Sequence, residues 1–290
     1  MTQLQAEVAT PAFTAKRAAL LAAATSLAAF VGTRAAAQTA SITDADILTF
    51  ALNLEYLEAE YYLRGVTGVS LGSTEFSPGA APVTGGRSVL FRTPMLQAFA
   101  DSVMRNELAH VRFLRGALGA AAITQPAIDF NAGFGAVAQA AGLGQGFDPF
   151  ADEISFFIGA FLFEDVGVTA YHGAAPLIKD KQTLTAAVGI HAVEAYHAGM
   201  VRSVLFRRGP DTINAANAIS DFRAQISAAP GSDYPIAING HANIVPVNGN
   251  GVAPGRSPQQ VLRIVYGTPQ PDMTRGAFFP NGVNGNIRST

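Results

Sequence analysis

The sequence predicts an all-α fold: a four-helix bundle, a short fifth helix, and a long Gly/Pro/Asn-rich C-terminal tail packed over it. Three observations carry this prediction. Four segments, each roughly 20–25 residues and about 30–35 Å as a helix, place apolar residues at 3-4 spacing between start and stop signals. The word Glu-x-x-His occurs twice near the middle of such a segment, at Glu107–His110 and at Glu194–His197. Each copy follows a helix in which a glutamate precedes a tyrosine by seven residues, Glu55 with Tyr62 and Glu164 with Tyr171. One helical hairpin is thus written twice, and a bundle built from it has pseudo-twofold symmetry.

The elements follow in order. Residues 1–37 read as an export signal: Lys16-Arg17, the apolar run from Ala18 to Val31, and Ala35-Ala36-Ala37 are the charged, apolar and small-residue parts of a leader. The basic pair after a polar lead resembles a degenerate twin-arginine signal. The expectation is an exported protein, periplasmic or extracellular, with no transmembrane segment in the mature chain, because the apolar run is short for a bilayer. Residues 43–228 read as the bundle plus fifth helix, and residues 229–290 as the tail.

Thr43-Asp44-Ala45-Asp46 offers an N-cap and an acidic first turn. Leu48, Ala51, Glu55, Glu58 and Tyr62 share one stripe, and Gly65 is expected to stop the helix. Residues 66–92, rich in Gly, Ser, Thr and Pro, read as a long loop. Thr93-Pro94 opens the second helix, whose inner stripe runs through Leu96, Val103, Glu107, His110 and Leu114 to Gly119. A Gly/Ala-rich connection over 120–147 has room for one short helix. Asp148-Pro149 is expected to open the third helix, with Ile154, Phe157, Phe161, Glu164, Val168 and Tyr171 as a heptad seam. The fourth begins near Asp180 and carries Leu184, Ala187, His191, Glu194, Ala198 and Val201 inward. A fifth follows Asp211. Beyond Pro230 only Ser257 to Tyr266 reads as helical, while Phe278 and Phe279 require burial.

Composition narrows the chemistry. At 290 residues with 49% hydrophobic and 14% charged, the chain buries a sizeable core. A net charge of −2 gives no electrostatic case for nucleic acid. The absence of cysteine excludes disulfides and thiolate metal sites, leaving His, Asp and Glu as ligands.

A glutamate and a histidine three residues apart on a helix share one face, roughly 5–6 Å between Cβ atoms. Both side chains then converge on one ion. One such word is common by chance; two at matching positions of a repeat are not. Glu55, Glu107, His110, Glu164, Glu194 and His197 all fall on inner stripes near helix middles. Four carboxylates buried together cannot all stay ionised unaided, because desolvation and repulsion raise their pKa values. Two divalent ions supply the missing charge, and carboxylate-rich ligation with one nitrogen per metal suits iron or manganese better than zinc. The expected cofactor is two Fe or two Mn ions.

Five further residues carry open alternatives. Glu58, one turn beyond Glu55, stands where the second half has Gly167; it is an extra ligand, the first-helix ligand itself, or a hydrogen-bonded acid. Glu55 is favoured because it alone obeys the repeat. His191, one turn before Glu194, is a third nitrogen ligand, a donor behind the ligands, or an inner histidine. Tyr62 and Tyr171 are core aromatics or phenols that orient ligands. Asp165 faces another side of its helix, behind the ligands or on the surface.

These words also resemble a known group. Ala51 to Glu60, Glu107 to His110, Phe163-Glu164-Asp165 and His191 to His197 are similar to the ferritin-like superfamily. Arg256 to Gly267 and Gly276 to Gly285 are similar to its secreted members related to the plant desiccation-related proteins. The resemblance covers about residues 43 to 285. It implies Glu55 and Glu164 as terminal ligands, Glu107 and Glu194 as bridging carboxylates, and His110 and His197 as one nitrogen for each metal. It also implies an association with drying and oxidative stress.

Two functional expectations follow. The first is oxidative chemistry with Fe(II), dioxygen or peroxide as partners: ferroxidase, peroxidase or manganese-catalase-like turnover. The second is a structural or interaction protein of the envelope or extracellular matrix whose metal site is vestigial or stabilising. A homo-oligomer fits either; a storage cage is disfavoured, because the 66–92 loop and the tail would burden a shell packing.

Overall fold

The computed structural model describes residues 41–290, and the export signal expected at 1–37 lies outside the described residues. Among these residues the chain forms α1 (Asp44–Thr67), α2 (Pro94–Leu118), α3 (Phe130–Ala140), α4 (Glu153–Ala174), α5 (Lys181–Arg207), α6 (Pro210–Ile226) and α7 (Pro258–Tyr266). Two short strand pairs lie in the connections: Val83–Thr84 runs parallel to Ile128–Asp129, and Ala237–Ile238 antiparallel to His241–Ala242. The fold is the all-α bundle that the sequence predicts. Helices α1 and α2 pack as one hairpin and α4 and α5 as the other.

Helix starts follow local chemistry. Thr43 and Asp46 form a reciprocal capping box at α1, the Asp46 carboxylate accepting from the Thr43 backbone N–H at 2.9 Å. Two boundaries differ from expectation. Gly65 does not stop α1, which runs two residues further to a left-handed cap at Gly68. Gly65 is instead a point of close approach: a Cβ there would lie 2.1 Å from the Phe156 ring. Asp148-Pro149 does not open α4 either. Asp152 caps it, its carboxylate accepting from Ile154 and Ser155, so two acid-led turns stand in succession and the second makes the cap.

The two hairpins are equivalent in sequence but not in environment. Helix α1 is buried at every position from Leu52 to Tyr62, and α4 from Phe156 to Ala170. The stretch Glu153–Leu177 is apolar and long enough to cross a membrane, yet 83% of its apolar window is buried. A helix apolar all round is what the centre of a large core requires. The 68–92 loop and the tail both lie against α1. The Tyr56 hydroxyl donates to the Glu75 carbonyl of the 68–92 loop (3.0 Å). Asn53 exchanges two hydrogen bonds with the Asn284 backbone in the tail (2.9 and 2.8 Å). Phe278 and Phe279 are fully buried. Helices α2 and α5, by contrast, keep an outward face that includes Ala98, Ser102, Ala109, Ala192, Ala195 and Tyr196.

A buried ion network ties the tail to the bundle. The Asp165 carboxylate accepts from Arg202 (2.9 and 2.7 Å) and Arg223 (2.7 Å), and Asp233 accepts from Arg223 (2.8 and 2.7 Å) and Arg256 (2.6 Å). Arg202 also donates to the carbonyls of Tyr234 and Asn243, both at 2.7 Å. Burial works to raise the Asp165 pKa, but the two guanidiniums outweigh it and hold the carboxyl below its usual range. Asp165 is therefore neither behind the ligands nor on the surface: it joins α4 to α5 and α6.

Candidate metal centre

Seven of the eleven residues singled out in the sequence point into one space between the four long helices. Helix α1 brings Glu55 and Glu58, α2 brings Glu107 and His110, α4 brings Glu164, and α5 brings Glu194 and His197; all are buried. Their donor atoms form three overlapping groups: Glu55, Glu107, His110 and Glu194; then Glu107, Glu164 and His197; then Glu58, Glu164 and Glu194. Within each group the atoms lie no more than 4.8 Å apart. Glu107 sits in the middle, its two oxygens facing the two imidazoles, His197 Nδ1 at 3.0 Å and His110 Nδ1 at 3.4 Å. His110 Nδ1 also lies 3.2 Å from Glu55, and His197 Nδ1 3.2 Å from Glu164. Each histidine thus turns Nδ1 inward.

The periphery holds these groups in crossed pairs. The Tyr171 hydroxyl of α4 donates to Glu55 of α1 (2.5 Å), and the Tyr62 hydroxyl of α1 donates to Glu164 of α4. Both tyrosines therefore orient carboxylates of the converging set, and Tyr62 is a core aromatic as well. Asn106 Oδ1 lies 3.2 Å from His197 Nε2, placed to accept an N–H there, so that Nδ1 would be the nitrogen offered to a cation once the ring is deprotonated. The sequence reading missed Asn106. Its signal was position: a residue just before Glu107 faces α5, not the bundle axis. His191 does not reach the centre; it is half-buried, and its ring stands 6.0 Å from that of His172.

The asymmetry at Gly167 also has a physical basis. A Cβ at that position would lie 2.1 Å from Glu194 Oε2. The second half carries glycine there because the Glu194 carboxylate occupies the space, while Glu58 fills the corresponding space in the first half.

Electrostatics show what the group set requires. Burial pushes Glu55 up to about 7 despite the pull of His110. Glu58 and Glu194 are driven well up by burial and by the surrounding carboxylates, and burial also raises Glu164. Burial works against the charged imidazoles, yet Glu55 and Glu107 lift His110 to about 11, while Glu164 and Glu107 lift His197 to about 10. The two neighbouring imidazoles outweigh burial at Glu107 and lower it. Five acids compensated by only two imidazoliums leave polar atoms stranded. Both oxygens of Glu107 and of Glu194, one each of Glu58 and Glu164, and His197 Nδ1 are buried without a hydrogen-bond partner. Such atoms are costly unless something else satisfies them. These seven atoms belong to the converging set, while Gln125 Oε1, His191 Nδ1 and Arg263 Nε are stranded elsewhere, and oxygen with one imidazole nitrogen per half is a donor set that fits hard or borderline divalent metals.

Comparison with known proteins agrees with this geometry. Residues 43–207 match the family model of the ferritin-like domain. Over 266 residues the chain is 27% identical to the ferritin-like catalase Nec2 of Nesocodon mauritianus, 84% of each protein. Over 193 residues it is 26% identical to the desiccation-related protein PCC13-62 of Craterostigma plantagineum, 64% of this chain and 60% of that one. No solved structure matches significantly. The family match spans more than half of the chain and includes α1 to α5 with all seven converging groups, so the chain belongs to the ferritin-like domain family.

Proposed function

We propose that this ferritin-like protein holds two iron or two manganese ions and uses them on peroxide. The observation that carries the reading is the set of buried, unpartnered oxygens and nitrogen aimed into one space. Glu55, Glu107, Glu164 and Glu194 would hold the ions together with His110 and His197, and Glu58 would add a further carboxylate. When bound, such a pair supplies a two-electron cycle between divalent and trivalent states. The chain's own groups do the rest. Tyr62 and Tyr171 fix the Glu164 and Glu55 carboxylates, Asn106 fixes the His197 tautomer, and the apolar bundle keeps bulk water out. The likeness to a ferritin-like catalase favours peroxide disproportionation over ferroxidase turnover. The leader-like residues 1–37 support an exported protein, acting in the periplasm or outside the cell.

The test is oxygen evolution from hydrogen peroxide by chains loaded anaerobically with Mn(II) or Fe(II), wild type beside Glu194→Ala. Turnover in the wild type and none in the variant is expected. Metal bound without turnover would favour the second reading, a stabilising metal site in a structural protein, which the likeness to a desiccation-related protein supports.

A further inference from the structure

The cavities that touch the centre differ in size by an order of magnitude. A slot between α1 and α4, bounded by Ala51, Glu55, Glu58, Gly167 and Tyr171, has a volume of about 20 Å³. Another beneath α7, touching Glu58, has about 10 Å³. One water needs roughly 10–15 Å³ on this measure, so neither slot takes more than a water molecule. Between α2 and α5 a cleft of about 310 Å³ opens onto His197, bounded by Phe99, Ser102, Asn106, Tyr196 and Met200. That volume is in the range of small-ligand sites, roughly 300–1,000 Å³. An apolar pocket of about 80 Å³ between α4, α5 and the tail abuts Asp165 and Arg202 and does not reach the centre.

The fold accounts for the difference. The 68–92 loop, α7 and the tail cover α1 and α4, whereas α2 and α5 keep their outward face. The cleft's chemistry is also one-sided. Its walls are the Phe99 and Tyr196 rings and Met200, its polar groups are Ser102, Asn106 and His197, and no Lys, Arg, Asp or Glu lines it. Asn106 breaks the pseudo-symmetry, because the residue before the second Glu-x-x-His is Val193. With Oδ1 engaged on His197, its amide N–H groups remain as donors for a guest oxygen.

We propose that the α2–α5 cleft is the substrate entrance of the centre, and that it takes uncharged peroxides, alkyl hydroperoxides included, with the O–O end at Asn106 and the alkyl group between Phe99, Tyr196 and Met200. The proposal rests on the metal-centre reading above, and its test separates the two. Ser102 is exposed, so Ser102→Trp narrows the cleft without disturbing the core, and Gln97→Trp adds the same ring to an exposed position of α2 outside the cleft. Metal-loaded full-length chains are mixed with azide, which reports an open metal position by absorption, and assayed with hydrogen peroxide and cumene hydroperoxide. Ser102→Trp should retain its metal, bind azide about tenfold more slowly, and lose at least about tenfold more kcat/KM on cumene hydroperoxide than on hydrogen peroxide; Gln97→Trp should behave as wild type. Unchanged azide binding in Ser102→Trp, or equal losses on both peroxides, overturns the entrance and leaves the centre standing. Wild type that binds no metal overturns both.

Discussion

Gly167→Ala separates metal binding from folding. The added Cβ would stand 2.1 Å from Glu194 Oε2 and 2.9 Å from its carboxyl carbon, where ordinary contact begins at 3.4 Å. The carboxylate must therefore retreat by about 1 Å, against a tolerance of about 0.2 Å in ligand distances. Without metal the change is mild. Overpacking costs about 1–3 kcal/mol, and replacing an interior helical glycine by alanine returns about 1 kcal/mol, so the net loss lies between about zero and 2 kcal/mol. Metal affinity should fall by at least about tenfold to a hundredfold, the range seen when a metal ligand loses its orientation. Thermal melts in chelator measure the first quantity and metal titration the second. A variant that binds two ions as tightly as wild type would refute the placement of Glu194.

Three other outcomes are expected. Asn106→Val, which copies Val193 into the first half, leaves His197 Nε2 without its acceptor and should cost about 10–100-fold in metal affinity, with fold stability within about 0.5 kcal/mol of wild type. Stability should depend on pH with opposite signs with and without metal. In the apo chain, Glu55, Glu58, Glu194, His110 and His197 all have folded pKa values above their ordinary 4.5 or 6.5. Their stabilisation is present at low pH and is lost as pH rises from about 5 toward 11; within the centre lowered Glu107 contributes in the other direction, as Asp165 does outside it, each losing its share only in acid. The loaded chain needs those groups deprotonated and should lose stability as pH falls, so melts in chelator and in excess Mn(II) that slope the same way would contradict the reasoning. Asp165→Ala leaves the buried guanidiniums of Arg202 and Arg223 short of a partner and should cost about 3–5 kcal/mol, measured by urea unfolding.

The centre was legible in the sequence because ligand-type residues on an apolar stripe are conspicuous. Glu107, His110, Glu194 and His197 violate the hydrophobic pattern at helical spacing, and the repeat supplies Glu55 and Glu164 by position. Glu58 was visible but ambiguous, since only the structure shows Gly167 giving room to Glu194. Asn106 was invisible for the opposite reason: an asparagine on the partly wet face of α2 breaks no pattern, and its role depends on α5. The Asp165–Arg202–Arg223–Asp233–Arg256 network joins residues up to 91 positions apart, and no local periodicity records such a pairing. Gly65 and Asp148-Pro149 misled because glycine serves close packing as well as helix ends, and because acid-led turns recur before a true cap.

The central claim is that cations, not protons, neutralise the acids inside this bundle. Glu107 tests it most directly, as the group that faces both imidazoles. Chelator-stripped wild type and Glu107→Ala are titrated anaerobically with Mn(II) at pH 7, counting bound metal and released protons. Two ions per wild-type chain are expected, with roughly four protons released from His110, His197, Glu58 and Glu194, and fewer than two ions in the variant. One ion or none in wild type, or a variant that holds as much metal, would contradict it.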